Sequence, residues 1–129
     1  MDFHYSVSTN KTVDEAVQAL EESLKNHKFG VLWQMDIPEK LREKGVEFDT
    51  PYRIMEVCNP HEAKKVLSQN RLVGYFLPCK VVVYQDNDGS TKIGLPRPTV
   101  LMQVINDATL EDIAQGVEES LKQAIDEAK

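Results

Sequence analysis

The chain has 129 residues, 41% of them hydrophobic and 28% charged, with a formal net charge of −6. That mix suits a single packed α+β domain that folds without a metal or disulfides, and it excludes a disordered chain. It also argues against a nucleic-acid binder, whose affinity comes largely from neutralising phosphate with clustered Lys and Arg.

The first predicted strand alternates Phe3, Tyr5 and Val7 with His4, Ser6 and Ser8, the period-two pattern of one buried face. Asn10 and Lys11 make the turn, and Thr12 with Glu15 forms a capping box. Val13, Ala16, Val17, Leu20 and Leu24 then set one stripe of a helix running to about Asn26. Phe29 to Met35 reads as a second strand. Phe29, Val31, Trp33 and Met35 share a face, and the apolar residues on both faces predict a central or doubly covered strand. Asp36 caps a short helix over Ile37–Lys44, with Pro38 in its first turn and Gly45 after its end.

Tyr52 to Cys58 is the third strand. Asn59 caps a further short helix, Pro60 takes its first position, Glu62 completes a box, and the helix ends near Asn70. Leu72 to Leu77 is open between strand and irregular loop, and Pro78 breaks it. Lys80 to Tyr84 has three consecutive valines and is the clearest strand. The turn Asp86-Asn87-Asp88-Gly89 returns the chain through a strand over Thr91–Leu95. Pro96-Arg97-Pro98 interrupts the sheet, and Thr99 to Val104 reads as a last strand. The final helix takes Thr109 as N-cap, with Leu110, Ile113, Ala114, Val117, Leu121, Ala124 and Ile125 on one stripe.

This order is not the strict alternation of a parallel doubly wound sheet. It predicts a mainly antiparallel sheet with two long helices on one face and two short inserted helices. The other sheet face would then need covering by the short helices or by a second copy.

Four stretches carry a family resemblance: Phe29-Gly30-Val31-Leu32, Lys40 to Gly45, Val57-Cys58-Asn59-Pro60 and Leu77-Pro78-Cys79-Lys80-Val81-Val82-Val83-Tyr84. They resemble the family known as domain of unknown function 302, over nearly the whole chain. The resemblance implies a curved antiparallel sheet backed by two helices, similar to the TATA-box-binding protein and often dimerised. It implies no activity.

The chemistry-bearing candidates centre on Cys58-Asn59-Pro60 and Pro78-Cys79. A helix N-terminus offers free amides and partial positive charge, which lowers a thiol pKa and attracts anions. Cys58 and Cys79 thus suit a reactive thiol, a redox sensor or the wall of a small-molecule pocket, or they are small buried apolar residues. Glu56, Cys58 and His61 lie close in sequence, with Cys79 as a possible further ligand, but no paired Cys-x-x-Cys or His-x-x-x-His marks a metal site, so none is expected. No Gly-rich phosphate loop or nucleophile elbow occurs, and no cofactor is expected. Arg97, stiffened between prolines, is either an anion clamp or an exposed edge bulge. Glu21, Glu22, Glu118 and Glu119 fall on polar helix faces.

No apolar run approaches the roughly 18 residues of a membrane span, and Met1-Asp2-Phe3-His4 lacks the features of a signal peptide. Two cysteines without an export signal point to the cytoplasm. The leading expectation is a non-catalytic homodimeric module with a small-molecule ligand near Cys58, Asn59, Pro60, Cys79 and Arg97. A thiol enzyme or redox sensor, and a protein-interaction module, stand as alternatives.

Overall fold

The computed structural model describes residues 2–129. Its strands are β1 (His4–Thr9), β2 (Gly30–Asp36), β3 (Tyr52–Cys58), β4 (Cys79–Gln85) and β5 (Thr91–Pro96). Its α-helices are α1 (Val13–Asn26), α2 (Ile37–Glu43), α3 (Pro60–Gln69), α4 (Pro98–Ile105) and α5 (Glu111–Ala128). Two 3-10 segments cover Arg71–Phe76 and Ala108–Leu110. The sheet is antiparallel throughout, in the order β1-β5-β4-β3-β2. The expected α+β architecture, with two long helices on one sheet face, is the one observed.

Helix α1 begins where the sequence places it. The Thr12 hydroxyl accepts from the Glu15 amide at 3.1 Å, and the Glu15 carboxylate accepts from the Thr12 amide at 2.9 Å. The apolar stripe of α1 meets that of α5 over Met55, Val57, Val81, Val83, Ile93 and Leu95, which the strands project to the same side. Ser23, buried between the helices, donates to the carbonyl of Ala124 at 2.6 Å and so ties α1 to α5 without an orphaned hydroxyl. A second, smaller core lies beyond the sheet end. There Val66 of α3, Val73, Met102 of α4, Leu110 and Ala114 of α5 pack together.

Strand β2 departs from expectation. It is an edge strand, with Leu32 61% and Trp33 46% exposed, rather than a central one. A register shift between Val31 and Trp33 also divides its faces. Val31 pairs with Val57 on the helix side, whereas Trp33 and Met35 pair with Glu56 and Ile54 on the other. An unbroken period of two cannot anticipate a bulge, and apolar residues on both faces do not separate a covered strand from an exposed edge.

The segment Thr99 to Val104 is helix α4 and not a strand. Its β-branched residues favour a strand locally. Pro98, however, sits in the first turn of a helix, where its missing N–H costs nothing. The decisive partner is remote: Glu118 of α5 accepts from the Thr99 amide at 3.1 Å and supplies the cap that Arg97 does not. Asn106, in the left-handed region at φ 59°, ends the helix.

The stretch left open at Leu72 to Leu77 is largely the 3-10 helix, opened by the Asn70 side chain accepting from the Leu72 amide. Thr109 is not the N-cap of the last helix. Asp107 caps the 3-10 segment instead, accepting from both the amide and the hydroxyl of Thr109, and α5 starts at Glu111 after Leu110, with no side-chain cap of its own. No helix among the described residues is long and apolar enough to cross a membrane.

Candidate functional site

Two cavities meet where β3 ends and β4 begins. Asn59 fixes the first wall. Its Oδ1 accepts from the amides of His61 and Glu62 at 3.1 and 3.3 Å, and so turns the chain from β3 into α3. Glu62 does not complete a box: its carboxylate accepts instead from Lys65 Nζ at 3.2 Å. Asn59→Ala is expected to cost about 1 kcal/mol, read as a lowered urea midpoint with unchanged slope.

Cys79 opens β4 directly opposite Val57, which places it one diagonal step from Cys58. Both cysteines are free thiols. Together they line a half-open cavity of about 40 Å³, the inner one, which is almost wholly apolar and also lined by Phe29, Val66, Met102 and Ala114. An outer cavity of about 190 Å³ lies beyond it, edged by Glu56, Tyr75, Lys80, Pro96 and Leu101. The two share one wall, formed by Leu77, Cys79, Pro98 and Met102. At the outer rim Lys80 Nζ pairs with Glu56 at 3.2 Å across β3 and β4.

Burial pushes the Cys79 thiol up to about 11, and the neighbouring Cys58 pushes it the same way. At neutral pH Cys79 is therefore protonated, the reverse of the activated thiolate that catalysis needs. Iodoacetamide labelling across pH should show Cys79 inert below about pH 9, with reactivity rising only towards 11. A half-labelling point near neutrality would contradict this assignment.

Of the residues picked out in the sequence, Cys58, Asn59 and Cys79 come together on the inner cavity. Pro60 and Arg97 line neither cavity. Pro60 is exposed at the first turn of α3. Arg97 is held instead by Glu118, with Nε at 3.1 Å from Oε2, and by donation to the Asp2 carbonyl at 2.9 Å. Its guanidinium is thus occupied within the chain. His61 is exposed, and among the described residues no group of three His, Cys, Asp or Glu side chains is arranged to hold a metal ion.

Glu118 overturns its placement on a polar face. It is 6% exposed and gathers Arg97, Lys122, the Thr99 hydroxyl and the Thr99 amide. Sequence reasoning also missed Pro98, Leu101 and Met102, because α4 reads locally as a strand. Pro98 as an N-terminal helical proline was the available signal.

The family profile described as domain of unknown function DUF302 matches residues 5–128, essentially every element that builds both cavities. The chain belongs to the DUF302 family. A crystal structure of an uncharacterized conserved DUF302 protein from Bacillus stearothermophilus is similar throughout, at 53% identity and a TM-score of 0.95, with all of both chains covered. No curated protein matches the chain. The DUF302 relationship therefore accounts for the fold, and brings no activity with it.

Proposed function

We propose that this DUF302 chain is a non-catalytic homodimeric module that binds a small, largely apolar molecule in the outer cavity. The observation that carries the reading is the shared wall of Leu77, Cys79, Pro98 and Met102, which puts an apolar back on a cavity whose rim holds a charged pair. Such a combination of apolar lining and few polar groups is the usual build of a small-molecule site. The protonated Cys79 favours a wall over a nucleophile. A dimer is favoured by the sheet face turned away from α1 and α5, where Trp33, Met35, Ile54 and Val82 project. The reading treats the layout as akin to that of the TATA-box-binding protein without its nucleic-acid role, since the net charge is −6.

Indole serves as the probe. In a nuclear magnetic resonance titration it should shift the amides of Leu77, Cys79, Leu101 and Met102 in a saturable way, and Leu101→Trp should abolish those shifts by filling the cavity. Shifts scattered over the surface, or unaltered in the variant, would remove the ligand reading. Light scattering at micromolar concentration should give twice the chain mass of 14.7 kDa; a monomer would remove the dimer.

A further inference from the structure

The ladder between β4 and β5 stops short at the outer cavity. It runs from Gln85 with Thr91 to Val82 with Gly94 and ends there. In an antiparallel pair every second couple exchanges main-chain hydrogen bonds. The Asp86 amide donates to the Ser90 carbonyl at 2.8 Å just before the ladder begins, so Tyr84 with Lys92 and Val82 with Gly94 are bonded couples. Lys80 and Pro96 stand next in that series.

The flanking strands agree. The Gln85 amide donates to the Pro51 carbonyl at 3.0 Å, so the odd-numbered residues of β4 bond to β3 and the Lys80 main chain turns towards β5. The Arg97 amide donates to the Phe3 carbonyl at 2.7 Å, which turns the Pro96 main chain away from β1 and towards β4. Proline has no N–H to give. The Lys80 carbonyl therefore faces the gap between the strands without the donor that the ladder supplies to Val82 and Tyr84. Side-chain donors nearby are engaged: Lys80 Nζ with Glu56, and Arg97 with Glu118 and the Asp2 carbonyl. Lys80 and Pro96, which bound this gap, both line the outer cavity.

We propose that the Lys80 main-chain carbonyl is the polar anchor of the outer cavity, and that the cavity selects flat apolar molecules carrying one N–H donor, of which indole is the simplest. The selection rests on the outer cavity receiving an apolar molecule at all. Leu77, Pro98, Leu101 and Met102 offer such a molecule only apolar side chains. A hydrocarbon lying there would strip water from the carbonyl and return nothing, whereas a ring N–H replaces the lost hydrogen bond. Specificity of this kind comes from the polar group that the wrong ligand leaves unpaired.

The test compares indole with benzothiophene, which keeps the bicyclic shape and has sulfur in place of the N–H, on the isotope-labelled full chain. Both should shift the amides of Leu101 and Met102. Indole should also shift the carbonyl carbon of Lys80, and benzothiophene should leave it nearly in place. Pro96→Ala puts an N–H opposite that carbonyl and completes the bonded couple. In this variant indole should lose about fivefold in affinity relative to benzothiophene, the net worth of one hydrogen bond. The ratio cancels the apolar contacts that both probes lose with the proline ring. Equal shifts of the Lys80 carbonyl carbon with the two probes, or an unchanged ratio in Pro96→Ala, would overturn the selection and leave the cavity a general apolar site. Binding of neither probe would overturn both.

Discussion

Leu121→Ala should lower the unfolding free energy by about 3–4 kcal/mol, among the largest losses expected from a single truncation in this chain. Leu121 is completely buried where α5 meets α1 and the sheet. The cost has two parts: the lost transfer of the side chain from water, and a cavity that two long helices and a five-stranded sheet cannot close. Leu121→Met keeps most of the volume and should cost less than about 1.5 kcal/mol. Urea unfolding measures both, with the midpoint falling and the slope unchanged. A loss below about 1 kcal/mol for the alanine variant would mean that α5 does not carry the core described above.

Glu118→Gln should be the most damaging change to a charged side chain, at about 2–3 kcal/mol. Burial alone would raise the pKa of Glu118. The Thr99 hydroxyl and amide, followed by Lys122 and Arg97, outweigh it and bring the carboxyl down from 4.5 to about 2. Glutamine keeps the shape, but it removes the charge and turns N–H donors towards two cations. The acid dependence follows from the same shift. A carboxylate with a depressed folded pKa stabilises the protein above its unfolded pKa, and that stability is lost as protonation proceeds. Wild-type stability should therefore fall between about pH 4.5 and about 2. The loss should be on the order of 2 kcal/mol, allowing for solvent screening at the partly exposed ends of Arg97 and Lys122. In Glu118→Gln that part of the acid slope should vanish. An identical slope in the variant would contradict the role assigned to this carboxylate.

What the sequence reveals here follows the range of each interaction. Helix α1 is legible because its capping box spans three residues and its stripe repeats within two turns. Strands β3, β4 and β5 are legible because their alternation or valine content is local. Helix α4 is not, since its cap comes from Glu118, 19 residues further along the chain. Strand β2 is misplaced because being an edge depends on which strands pair, and its bulge is invisible to a strict period. The site divides in the same way. Cys58, Asn59 and Cys79 lie on adjacent strand ends, so their motifs mark one wall. The facing wall of Pro98, Leu101 and Met102 belongs to α4, and stays hidden while that segment reads locally as a strand. Arg97, stiff between its prolines, looked like an anion clamp; the anion it clamps is Glu118 of the same chain.

The central claim is that the cavity beside Cys79 receives an apolar molecule. Intermolecular nuclear Overhauser effects from bound indole to methyl-labelled protein test it most directly. The account predicts cross-peaks to the methyl groups of Leu77, Leu101 and Met102, the side chains that α4 and the Leu-Pro-Cys stretch bring together. Cross-peaks confined to exposed methyl groups such as those of Leu72 and Val104 would contradict it.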